Sequence, residues 1–172
     1  MNSRFALRTV GLGLTLAAVA AVSGCGGKTA EVTRYKIPNS NFPISLGVEI
    51  PAGKTIIFLS GMTPSVADDT QPKDSVAAYG DTKTQTLSAL KKIDDSLKSI
   101  GLGMKDVVKM QVFMAGDPNK GGKMDFPGMM EGYTQYFGTK DQPNTPSRSA
   151  MQVAALANPG FLVEIEVAAV RP

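Results

Sequence analysis

Apolar positions recur along the chain in two rhythms. Two β-branched runs, Ile44 to Ile50 and Thr55 to Leu59, are split by Pro51-Ala52-Gly53-Lys54, which predicts a hairpin whose second strand closes at Ser60-Gly61. From Ala77 to Ile100 the period lengthens. Leu87, Leu90, Ile93, Leu97 and Ile100 fall on one helical face, and Gly101 is the expected stop. Alternation then returns, with Val108, Met110, Val112 and Met114 spaced by mostly polar neighbours as in a half-buried strand. After a loop from Ala115 to Lys123, the residues Phe126, Met129, Met130, Tyr133, Tyr136 and Phe137 mark the apolar side of a second helix, with the spacing of a packing face. Two strands, Ser147 to Ala154 and Phe161 to Val170, finish the chain. The order β-β-α-β-α-β-β predicts an α+β fold, a mixed sheet with both helices on one face.

A sheet covered on one side leaves its other face to be explained. In the last strand Phe161, Val163, Ile165, Val167 and Ala169 share one face, and Leu162, Glu164, Glu166, Ala168 and Val170 share the other. The second set is apolar apart from its two carboxylates, so an oligomer that buries it is expected.

The first residues follow neither rhythm. Arg4 and Arg8 precede an apolar run from Val10 to Val22 that is too short to span a bilayer, which takes about 20 residues. Residues 1–24 therefore read as an export signal. The run ends in Val22-Ser23-Gly24-Cys25, which resembles the lipobox of bacterial lipoproteins and implies lipidation of Cys25. The alternative is an ordinary signal peptide with an incidental cysteine. Gly26 after the cysteine favours the outer membrane in a Gram-negative envelope, facing the periplasm. Residues 25–41 are expected to form a polar, flexible tether and residues 42–172 the folded domain.

Charge and composition narrow the chemistry. The chain has 18 Lys+Arg against 15 Asp+Glu, and because Arg4 and Arg8 are the only charges of residues 1–24, the basic count beyond the signal falls to 16. A near-neutral body carries no electrostatic footprint for nucleic acid. The sequence contains no histidine and one cysteine. Histidine-based triads, zinc sites with histidine ligands and internal disulfides are therefore excluded. Asp117-Pro118-Asn119-Lys120-Gly121-Gly122 starts like a calcium loop, but Gly128 stands where the bidentate glutamate is required. No cofactor or metal is expected.

Several blocks together resemble one family. Ser60-Gly61 after a strand, Asp106-Val107-Val108-Lys109 opening the next, Tyr133, Tyr136-Phe137, Pro146-Ser147-Arg148-Ser149 and Val163-Glu164-Ile165-Glu166-Val167-Ala168 are similar, in order, to the RidA (YjgF) enamine/imine deaminases, over about Ile44 to Pro172. The resemblance implies a chorismate-mutase-like homotrimer with clefts at subunit interfaces. It also implies hydrolysis of 2-aminoacrylate-type enamines, or their imine tautomers, to 2-keto acids and ammonia.

Arg148 is then the expected carboxylate clamp, because a planar guanidinium grips a carboxylate through two parallel hydrogen bonds. Glu164 is the expected proton-transfer group for water and imine nitrogen, and Glu166 is expected to be structural. Ser60 is carried over as a substrate-side donor, with turn formation as its alternative, and the backbone near Ala150 as a further carboxylate contact. The chain departs from the family at Ile44, Met62, Met130 and Ala150, where the pattern has tyrosine, glutamine, asparagine and cysteine. These replacements predict a more apolar pocket. Some relatives have been described as ribonucleases, which the lack of histidine and the near-neutral charge weigh against. A non-catalytic trimer that binds small carboxylates or serves as an envelope scaffold is the alternative function.

Overall fold

The computed structural model describes residues 30–172; the expected export signal and Cys25 lie outside them. Eight elements follow one another: β1 (Thr33–Lys36), β2 (Ser45–Glu49), β3 (Ile56–Met62), α1 (Thr82–Ser99), β4 (Val107–Met114), α2 (Phe126–Tyr133), β5 (Ser147–Gln152) and β6 (Val163–Val170). The main sheet runs β3-β6-β4-β5. Strand β6 is antiparallel to both of its neighbours, while β4 and β5 are parallel. Both helices pack on one face of this mixed sheet, as the periodicity predicts.

Two expectations are corrected. The polar stretch before residue 41 is not simply a tether, because Thr33–Lys36 forms β1 and pairs antiparallel with β2. Its period is hidden by the half-buried Arg34, whose guanidinium donates to the carbonyls of Thr145 at 2.8 Å and Lys105 at 3.0 Å. Nor do β2 and β3 form a hairpin. Strand β3 pairs with β6, whereas β2 begins beside β5, where the Ser45 N–H donates to the Pro146 carbonyl at 2.9 Å. The β1-β2 ribbon then brings Val32, Val48 and Ile50 against Val108, Ala168 and Val170, so part of the apolar second face of β6 is covered within the chain.

The core lies between sheet and helices. Leu90, Ile93 and Leu97 of α1, Met129 and Tyr133 of α2, and Met110, Val112, Ile165 and Val167 of the sheet are all buried. Helix α1 starts later than its apolar pattern suggests. Gly80 has φ +82°, and the Asp81 side chain accepts the Thr84 N–H to cap the first turn. Helix α2 stops at Tyr133, so Tyr136 and Phe137 follow it in a turn, with Phe137 stacked on Tyr133 at 5.0 Å.

One buried amide ties the helix layer to the central strand. Gln85 on α1 donates to the carbonyls of Gly80 and Gly160, both at 2.9 Å, and accepts the Leu162 N–H at 2.7 Å. Replacing it by an apolar side chain strands the Leu162 N–H in the core. Gln85→Leu is therefore expected to cost about 3 kcal/mol in urea unfolding, against about 1 kcal/mol for Asp81→Ala. Hydrogen bonds from Thr84 hold the Asp81 carboxyl below its ordinary value of 3.8. Its contribution is present above about pH 4 and fades as the pH falls below that, and the Asp81→Ala penalty should shrink in the same window.

Candidate active site

Strand β5 is an edge strand, and its pairing decides which backbone groups are free. In the β4-β5 ladder the Val153 N–H donates to the Met114 carbonyl at 2.8 Å. Since successive residues of a strand point their N–H and C=O groups to opposite sides, the odd-numbered residues of β5 are bonded to β4 and Arg148, Ala150 and Gln152 present theirs at the open edge. Both ends of that edge are occupied. Ser45 takes the Pro146 carbonyl, and the Gln152 side chain donates to the Gly122 carbonyl at 3.0 Å and accepts the Met124 N–H at 2.9 Å. The loop from Gly116 to Lys123 thus rims the edge, its Asp117 carboxylate accepting the Asn119 N–H. Between these stops lies a short window of backbone at Arg148 and Ala150, too short for a peptide strand.

The Arg148 side chain rises from this window on the helix face. Its guanidinium carbon lies 4.2 Å from the Tyr133 ring centroid, 5.6 Å from Phe42 and 5.8 Å from Phe126. One terminal nitrogen sits 3.9 Å from the Met129 sulfur. Among the described residues no carboxylate forms an ion pair with Arg148. Burial lowers its pKa, partly offset by Tyr133, yet an arginine remains protonated in water. The opposite shift falls on the Tyr133 phenol, which burial pushes upward. That phenol donates to the Pro43 carbonyl at 2.8 Å, which fixes residues 42–44 beside Arg148 and leaves its hydroxyl committed.

Glu164 and Ser60 occupy the other face of the sheet. Between the Leu59–Val167 and Met62–Ile165 pairs, Ser60 and Gly61 together oppose Glu166, a β-bulge at the edge strand. The Glu164 carboxylate lies over Gly61, where a Cβ would come 2.0 Å from its Oε1. Ser60 lines an adjacent groove of about 340 Å³ with Phe58, Lys109, Gln111 and Glu166.

The expected site residues therefore form two pairs, Arg148 with Ala150 and Glu164 with the Ser60-Gly61 bulge. The structure does not bring the pairs together in one chain. Glu164 is three residues along and two strands across from Arg148 in the ladder, about 14 Å at ~3.3 Å per residue and ~4.8 Å per strand, and the side chains leave opposite faces. Sequence reasoning missed the aromatic shell. Phe126, Met129 and Tyr133 read as core, which they also are, and only long-range packing brings Arg148 and Phe42 to them.

The matching family model, described as Endoribonuclease L-PSP, covers residues 45–171. This chain belongs to that family. A RutC family protein of Pyrococcus horikoshii is 34% identical over 120 residues, 70% of this chain and 82% of that one. The 2-iminobutanoate/2-iminopropanoate deaminase of Rattus norvegicus is 32% identical over 144 residues, 83% of this chain and 93% of the rat protein. Among solved structures, E. coli TdcF with bound serine aligns with a TM-score of 0.52 at 29% identity, covering 76% of this chain and 93% of that one. A Rid family protein of Yersinia pestis, 19% identical, reaches a TM-score of 0.62 over 81% of this chain and 98% of its own length. The last likeness bears on the fold alone, and it is the α+β sheet with two helices on one face described above.

A guanidinium with no ion-pair partner among the described residues predicts a measurable affinity. Pyruvate titrated calorimetrically should bind at least about tenfold more weakly to Arg148→Ala, given the ~1.5–3 kcal/mol of a charge-assisted hydrogen bond. Arg148→Lys should not restore it, because an ammonium lacks the planar fork.

Proposed function

We propose that the protein is a hydrolytic deaminase of imines and enamines of 2-keto acids, acting at clefts between copies of the chain in a homotrimer. The observation that carries this reading is Arg148, a cation held against Tyr133 with no carboxylate partner among the described residues and with the free Ala150 N–H on the same open edge. Family membership and the named rat relative support the same chemistry.

In this reading the substrate carboxylate takes two hydrogen bonds from the Arg148 guanidinium and a third from the Ala150 N–H. The imine carbon then faces a neighbouring copy, whose bulge brings Glu164 and Ser60. The Glu164 carboxylate accepts a proton as water adds to the imine carbon, and Ser60 donates to the nitrogen or to that water. The tetrahedral carbinolamine collapses as the C–N bond breaks, the proton passing to nitrogen. Imine plus water give 2-keto acid plus ammonia, with no electron transfer and no bound cofactor required. An enamine enters the same path after protonation at its terminal carbon.

The test is an L-amino-acid oxidase reaction in which the imine is trapped with semicarbazide. Added protein should reduce trapping and speed keto-acid release, and Arg148→Ala should abolish the effect. Failure to accelerate release from any imine, with pyruvate still bound, favours the non-catalytic carboxylate-binding trimer. Gly61→Ala separates the two pairs. Its Cβ would displace the Glu164 carboxylate, so kcat should fall at least about tenfold, on the scale of a lost acid–base group, while pyruvate affinity stays within about twofold.

We also infer that Cys25 carries lipid and that the domain faces the periplasm, an address read from the sequence pattern of residues 1–25. Among the described residues, no helix is long and apolar enough to cross a membrane. Palmitate label should enter the protein in cells and be lost in Cys25→Ser; equal labelling of both would overturn the anchor.

A further inference from the structure

Given a carboxylate on Arg148, the remaining question is what the rest of the substrate touches. The guanidinium is flanked by Tyr133, Phe42, Phe126 and the Met129 sulfur. The one hydroxyl in that shell, on Tyr133, already donates to Pro43. Ile44 and Met130 stand nearby in the chain, both partly buried on the apolar core, and add no polar group. Phe42 differs from the others in being 41% exposed, so its ring has apolar surface still available. The segment that carries it is fixed on both sides: the Phe42 N–H donates to the Ser40 hydroxyl at 3.1 Å, and the Phe42 carbonyl accepts the Ile44 N–H at 2.8 Å. It is a preformed wall.

We propose that this site selects imines whose side chain is large and apolar, branched or aromatic, and that Phe42 is the residue that sets the preference. The proposal rests on the deaminase reading and deepens it. Once the carboxylate is bidentate on Arg148, the substituent on the imine carbon is only a bond away and meets Phe42 or Phe126. A methyl group covers little of either ring, and a polar side chain would surrender its water without finding a donor or acceptor in that shell. An isobutyl or benzyl group removes apolar area on both partners from water, at about 25 cal/mol per Å².

The experiment compares imines generated by L-amino-acid oxidase from alanine, leucine, phenylalanine and glutamine, with kcat/KM from semicarbazide competition. The leucine- and phenylalanine-derived imines should exceed the alanine- and glutamine-derived ones at least about tenfold, the scale set by a few methylenes in a pocket. Phe42→Ala should narrow that ratio at least about threefold, chiefly through KM for the large substrates, and Phe42→Leu should restore most of it. Equal values across the panel, a preference for the alanine-derived imine, or a ratio unchanged in Phe42→Ala would each overturn the proposal. Calorimetry with pyruvate, 4-methyl-2-oxopentanoate and phenylpyruvate reads the same preference without turnover. If no imine is hydrolysed, the deaminase reading fails while tighter, Phe42-dependent binding of the larger keto acids still supports the pocket. Equal affinities there overturn the pocket whatever the turnover.

Discussion

A guanidinium pressed against an aromatic face and left without a counter-charge among the described residues is costly to place, and the region around Arg148 is organised by that cost. Desolvation of the cation opposes folding, and the Tyr133 face returns only part of it, about 1–2 kcal/mol for a partly desolvated cation–π contact. A folded domain that keeps such a group gains more when an anion arrives, because the ligand supplies both the missing charge and the missing hydrogen bonds. Tyr133 stands at the centre of the arrangement. Its ring supports Arg148 and stacks on Phe137, and its hydroxyl fixes the Pro43 strap.

The sheet determines what Arg148 can work with. Parallel pairing of β5 with β4 turns the Arg148 and Ala150 backbones outward, while strand alternation sends Glu164 to the opposite face. In the proposed reaction, carboxylate binding and proton transfer thus fall at two places on the same chain. A small imine cannot bridge about 14 Å through a sheet, so catalysis by both pairs demands a second copy. The far face is suited to such a neighbour, with Phe58 79% exposed on edge strand β3 beside Ser60 and Glu166.

Legibility in the sequence followed the range of the forces involved. Helix α1, the alternation of β4 and the core face of β6 were readable because each is set by local period. Gln85 sits on the buried face of α1 with no period to announce it, since its partners are loop carbonyls and an N–H brought in from the far end of the chain. Strand β1 was hidden because its inward position is an arginine, whose burial only the carbonyls of Lys105 and Thr145 explain. The β2-β3 hairpin was misread for a related reason: proximity in sequence favours pairing, but β3 gains more apolar contact beside the central strand β6. Arg148, Glu164, Ser60 and Ala150 are candidates that the motifs single out. Their division between two faces follows from register, which no motif encodes.

Subunit complementation tests the central claim, that a working site takes Arg148 from one copy and Glu164 from another. Arg148→Ala and Glu164→Gln chains would be co-expressed, purified as mixed oligomers by two different tags, and assayed for imine hydrolysis. Each variant alone should be inactive, and the purified mixed trimers should return about one third of wild-type activity, since in each of them one interface draws both intact residues from different chains. Mixed oligomers as inactive as either parent would contradict the account.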